Sequence, residues 1–130
     1  MQSKPGQADS LDSLRAIAGE QFCYLTTSGR KTGNPHTIEI WFALSPDSPI
    51  IYILSGGGDR SDWVKNIQND PSVQARIKST TFEGSGRIVQ SLEEDRTARK
   101  LVVAKYYGRE DVHSTGWEAT SLPVAIDLKV

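Results

Sequence analysis

Cysteine and histidine are nearly missing from this chain of 130 residues. The single Cys23 has no partner for an internal disulfide, and two histidines fall far short of a metal-ligand set. No apolar run approaches the roughly 18 residues that a membrane span requires, so no integral membrane segment is expected. An excess of positive charge is also lacking. The formal net charge of -1 argues against nucleic acid as a partner, because a phosphate backbone is usually met by a strongly basic face. The first ten residues, MQSKPGQADS, are polar and lack the apolar region of a signal peptide, which makes the cytoplasm the expected location. No internal repeat, Ser-His-Asp set or pair of carboxylates is legible, so hydrolysis has little support.

What the chain does contain is a mixed pattern of short strands and helices in one domain. Residues 1–9 read as a flexible tail and 10–130 as a single domain, large enough for one core. Asp9 or Ser10 is placed to cap a helix that carries Leu11, Leu14 and Ile17 on one stripe and ends near Gly19. Strands are expected at 21–27, 36–44 and 50–54, with Pro46-Asp47-Ser48-Pro49 turning between the last two. A helix capped by Asp59 or Ser61 runs to about Gln68 and stops at Asp70-Pro71. Strands follow at 72–78 and 81–90, the first alternating Val73, Ala75, Ile77 with polar neighbours. Ser91 and Glu94 form a capping box for a helix that Gly108 ends near Tyr107. Residues 109–120 read as loop and 122–130 as a last strand. Strand and helix do not alternate regularly, which disfavours a doubly wound parallel sheet. A small α+β fold, mainly antiparallel barrel with helices over its openings, suits the order better.

Two segments have the chemistry of anion binding. Ser28-Gly29-Arg30-Lys31-Thr32-Gly33-Asn34-Pro35 reads as a hairpin turn that places Arg30 and Lys31 at an exposed tip. Ser55-Gly56-Gly57-Gly58 follows an apolar strand and precedes a helix, where free backbone N–H groups and the helix dipole favour a phosphate or carboxylate. Together they suggest an anionic, extended cofactor. In isolation each has a plainer use: the basic pair keeps a turn soluble, the glycines are a connector, and Trp63 anchors a helix in the core before it walls a pocket. Cys23 reads as a small apolar group and His36 as a surface or hydrogen-bonded residue.

In combination these segments are more specific. LTTSGRKTGNPHTIEIWF, Leu25 to Phe42, resembles the opening motif of the deazaflavin-dependent nitroreductase family, whose members use coenzyme F420 on a split β-barrel of the pyridoxamine-phosphate-oxidase type. Ser55-Gly56-Gly57-Gly58-Asp59-Arg60, followed by Trp63-Val64-Lys65-Asn66-Ile67-Gln68-Asn69-Asp70-Pro71, resembles that family's second block, with Gly56 where a lysine is usual and a linker about two residues short. Tyr106-Tyr107 before the strand at Leu122 completes the likeness.

The resemblance implies a split barrel of about six mostly antiparallel strands with flanking helices. It implies an enzyme that passes a hydride from reduced deazaflavin to a small organic acceptor: a quinone, an activated alkene or a nitro compound. Arg30, Lys31 and Thr32 would hold the acidic tail; Thr37 and Ile38 would line the ring pocket; Ser55, Gly56, Gly57, Gly58, Asp59, Arg60 and Trp63 would contact the ring or position the helix end. Tyr106 or Tyr107 would donate to substrate. Two alternatives come from the wider superfamily: an FMN-dependent reductase, and a non-catalytic module that binds a flavin, a haem-like pigment or a fatty acid. A homodimer is expected, with Trp41, Phe82 and Val89 as outward apolar contacts.

Overall fold

The computed structural model describes residues 11–130. The tail at 1–9 and the Asp9 or Ser10 cap lie outside the described residues. Helix α1 (Leu11–Ile17) precedes strands β1 (Cys23–Ser28), β2 (Pro35–Ile40), β3 (Ala43–Leu44) and β4 (Ile50–Ser55). A single 3-10 turn (Gly58–Arg60) leads into α2 (Asp62–Asn69), then β5 (Ser72–Ile77) and β6 (Thr80–Ile88). Helices α3 (Leu92–Tyr107) and α4 (Trp117–Thr120) lead to β7 (Leu122–Leu128). The strands form one curled antiparallel sheet of seven in the order β2-β1-β5-β6-β7-β4-β3. It is a half-barrel, the split-barrel architecture expected from the sequence.

Burial follows the patterning of each strand. β5 alternates exposed and buried residues because only its inner face meets the core, whereas Ile51 to Ser55 of β4 are all buried because α3 covers the outer face. Leu25, Ile51, Ile53, Val64, Ile77, Phe82 and Ile126 belong to the central cluster, and Tyr52, Val89, Ala98 and Ala125 form a satellite cluster. Gly86 lets α2 approach β6: a Cβ there would stand 2.9 Å from two carbons of Ile67.

Four expectations are corrected. The strand at 36–44 is two strands on opposite edges of the sheet, separated only by Trp41 and Phe42. The break occurs because Phe42 spends its backbone groups on α3: its N–H donates to Tyr106 Oη at 3.0 Å and its carbonyl accepts from Lys105 Nζ at 2.8 Å. These two residues therefore carry the chain from one edge of the sheet to the other. Second, the loop at 109–120 contains α4. Third, the capping box is half-formed: Ser91 Oγ accepts from the Glu94 N–H, but the Glu94 carboxylate is held by Arg87 and Tyr52. Fourth, Phe82 and Val89 are core residues, 2% and 7% exposed, and are not outward contacts for a second copy.

Candidate cofactor site

The hairpin between β1 and β2 is closed by local hydrogen bonds. Gly29 N donates to the Asn34 carbonyl at 2.8 Å and Gly33 N to the Gly29 carbonyl at 2.7 Å; Gly33 has φ +78°, a conformation that favours glycine. Lys31 and Thr32 stand exposed at the tip, but Arg30 does not. Its side chain folds back onto α2, where Nη1 donates to Asn66 Oδ1 at 2.9 Å and Nη2 to Asp62 Oδ1 at 3.1 Å. The Arg30 N–H reaches the same Asn66 oxygen at 3.2 Å, while Asn66 Nδ2 donates to Thr27 Oγ1 at 3.0 Å. One buried amide thus ties the basic turn to helix and sheet.

Between turn and helix lies an open cavity of about 650 Å³, lined by Arg30, Lys31, Thr32, Thr37, Ile38 and Trp63 among others. Its size is that of a small-molecule site. Six of the expected residues are thereby brought together. Gly29, Asn34, His36, Asp62 and Asn66 also line it and were not expected. Asn66 left a readable signal, a polar residue on the same stripe as Trp63 and Ile67; Asp62 left none beyond its place in the first turn.

Ser55, Gly56, Gly57, Gly58, Asp59 and Arg60 are not in that lining. Ser55 Oγ donates to the Gly58 carbonyl at 2.9 Å and lies 3.0 Å from Ser61 Oγ, so the loop closes on itself. Gly58 has φ +62°, while Gly57 has the ordinary φ of -82° and is crowded by Ser61. Gly56 faces the Trp117 indole: a Cβ at this position would lie 3.0 Å from Nε1.

That indole belongs to an aromatic corner. Trp41 stacks on Tyr106 with centroids 4.1 Å apart, and meets Tyr107 and Trp117 edge-on at 6.1 and 6.0 Å. The Tyr106 hydroxyl is engaged by Phe42 N–H and donates to the Gln21 carbonyl at 2.6 Å; burial pushes its pKa up to about 12. In this structure the hydroxyl is thus engaged by backbone groups and not turned to an open pocket. Tyr107 is 47% exposed. The loop beside it is clamped by Glu118, whose carboxylate accepts from Arg109 at 2.8 and 3.1 Å and from the His113 N–H at 2.7 Å. Those bonds, Arg109 first, hold its pKa down at about 2. Cys23 is buried, and desolvation raises its thiol to about 12, as suits a packing residue.

A seven-stranded half-barrel with a basic turn facing a helix defines the class: a split barrel of the pyridoxamine-phosphate-oxidase type. The model of the F420H(2)-dependent quinone reductase family matches residues 7–129, and the chain belongs to that family, one of oxidoreductases. An F420H(2)-dependent quinone reductase of Mycobacterium tuberculosis is 31% identical over 72 residues, 55% of this chain and 48% of the relative. The chain spans about half the length of the curated relatives it matches. A conserved hypothetical protein of Mycobacterium tuberculosis has a similar structure, with TM-score 0.78 at 18% identity over 100% of this chain and 87% of that one. A Listeria innocua protein provisionally assigned as a pyridoxamine 5'-phosphate oxidase gives TM-score 0.66 at 16% identity over 92% and 93%. No helix among the described residues is long and apolar enough to cross a membrane.

The donor set fits an F420-type cofactor. The cavity offers the Lys31 ammonium, the Arg30 guanidinium and the Thr32 and Thr37 hydroxyls to an acidic tail, and Ile38 with the Trp63 ring to an apolar portion. The Asp62 carboxylate opposes an anion, but its side chain is 85% exposed and its pairing with Arg30 is the exchangeable surface kind.

Proposed function

We propose that this protein is an F420-dependent reductase that acts on a quinone, with related activated alkenes and nitro compounds as further acceptors. The observation that carries the reading is the cavity between the Arg30-Lys31 turn and α2, in a chain of this family. Bound reduced F420 supplies a hydride. The protein binds, orients and excludes water. Lys31 holds the acidic tail as a free-standing cation, while Arg30, already oriented by Asn66, contributes a fixed guanidinium. Ile38 and Trp63 wall the apolar part, and the loop from Ser55 to Arg60 borders the ring. Tyr107 and Trp117 face the acceptor. The family favours F420 over FMN as the cofactor, and nothing in the site calls for the FMN alternative.

The test is anaerobic mixing of reduced F420 with a soluble naphthoquinone, followed by the fluorescence of oxidised F420. Protein-dependent oxidation is expected. A rate equal to the protein-free control, with no tight F420 binding, would overturn the proposal. We further propose a cytoplasmic homodimer, resting on the partly exposed rings of Trp41, Tyr107 and Trp117. Light scattering is expected to give twice 14.3 kDa, and a monomer mass would remove the dimer.

A further inference from the structure

The cavity between the basic turn and α2 is lined by the permanent cations Arg30 and Lys31 and, among the described residues, by a single carboxylate, that of Asp62. The carboxylate lies on a cation that an acidic ligand would use: Asp62 Oδ1 accepts from Arg30 Nη2 at 3.1 Å.

Two groups grip Arg30, and they differ in kind. Asn66 is neutral and 3% exposed, and it accepts from both the Arg30 N–H at 3.2 Å and Nη1 at 2.9 Å, so the guanidinium stays oriented without Asp62. The Asp62 side chain is 85% exposed, against 29% for Arg30, and among the described residues its carboxylate has no other hydrogen bond or ion pair. A carboxylate in the first turn of α2 is also favoured by the positive end of the helix. That preference does not account for its position in an anion cavity, where it cancels one of the two positive charges that would attract an acidic ligand.

We propose that Asp62 is a release residue: its carboxylate holds the Arg30 guanidinium while the cavity is empty, yields it to the acidic tail of F420, and takes it back as the tail leaves. The inference rests on the F420 reading above. In that reaction reduced cofactor is consumed at each turnover, so the oxidised form has to depart. Departure from a partly buried guanidinium with no other anion at hand would leave its charge unpaired. An exposed ion pair contributes little to stability, which makes the exchange of Asp62 for a phosphate or carboxylate of the tail nearly balanced and therefore fast. Asn66 stays in place and keeps Arg30 aimed through the exchange. Asp62 thus acts against affinity, opposite in sign to Lys31, and removing its charge must strengthen binding.

Asp62→Asn keeps the size and an acceptor oxygen but removes the charge, whereas Asp62→Glu keeps the charge. Fluorescence titration of oxidised F420 is expected to give about fivefold tighter binding for Asp62→Asn at roughly 0.05 M salt, a gain that fades by roughly 0.5 M, and near-parent affinity for Asp62→Glu. Stopped-flow dilution of the complex should place the gain in a slower dissociation rate. The melting temperature of Asp62→Asn should lie within about 3 °C of the parent's, because only an exposed first-turn charge is lost. Inorganic pyrophosphate, titrated calorimetrically on the same three proteins, probes the anion site without a deazaflavin ring and should show the same order of affinity. If the parent binds no F420, the cofactor reading falls, and the pyrophosphate series alone decides whether Asp62 competes for Arg30. If F420 binds but Asp62→Asn binds it no more tightly, if Asp62→Glu gains as much, or if the gain lies wholly in the association rate, the release role is overturned and the cofactor reading stands.

Discussion

Arg30 and Lys31 are neighbours in sequence with the same charge, and the structure divides their work. Arg30 is oriented by Asp62 and Asn66 at the cavity wall, while Lys31 is exposed beside the cavity with no such tie. Lys31→Ala should therefore weaken F420 binding about tenfold, equivalent to about 1.4 kcal/mol, with an unchanged melting temperature; fluorescence titration and thermal unfolding are the paired measurements. Asn66 behaves differently because it is buried. Asn66→Ala strips Thr27 Oγ1 and the Arg30 N–H of their partner, and the loss of stability should reach about 1–3 kcal/mol by urea denaturation. Weaker F420 binding should accompany it, because the turn loses its tie to α2. An Asn66→Ala protein as stable as the parent would mean that water replaces the amide.

At the scale of elements, the informative unit is the loop from Arg109 to Gly116 with α4. It is too short and polar to hold itself, and Glu118 supplies the anchor. The carboxyl has its pKa lowered from 4.5 to about 2 in the folded state, so its contribution is fully present above about pH 4.5 and is lost as the pH falls through 2. Amide hydrogen exchange of residues 109–117 should therefore speed up at low pH before the sheet opens, and Glu118→Gln should show the fast exchange at neutral pH. The glycine loop is coupled to the same element. Gly56→Lys would restore the residue usual in the resembling family, but its Cβ would press on the Trp117 indole. The variant should release α4, seen as a red shift of tryptophan emission and faster exchange at 117–120. Emission identical to the parent would mean that the indole moves aside without loss.

Across the whole molecule, the barrel is closed by side chains where strands do not pair. β2 and β3 are the two edges of the sheet, and the seam between them is fastened by Tyr106 and Lys105 on the Phe42 backbone, with the Tyr106 ring stacked on Trp41. Tyr106→Phe keeps the stack but leaves the Phe42 N–H without its acceptor. A loss of about 1–3 kcal/mol is expected in urea denaturation, with F420 affinity unchanged. A decrease in affinity with unchanged stability would instead return Tyr106 to the ligand site.

Most elements were legible in the sequence because their causes are local. Val73, Ala75 and Ile77 alternate, Ser91 caps, Gly108 with φ +67° ends α3, and glycine and proline shape the turn from Gly29 to Pro35. The basic turn and the family likeness were legible for the same reason, since both are contiguous motifs. What the sequence did not disclose depends on groups that meet across large separations. Asn66 reaches Arg30 and Thr27 across 36 and 39 residues, and Tyr106 reaches Phe42 across 64. Strand propensity alone continues β2 through Trp41 and Phe42, yet the backbone there is satisfied by α3 and the strand ends. The alternation of a strand fixes which side chains share a face, and so the sequence by itself determined the elements and their faces. Which faces were then covered, which cation was drawn into contact with a helix and which tyrosine became a fastener was decided only in the tertiary structure, because burial, pairing and desolvation belong to the packed chain and to no single segment of it.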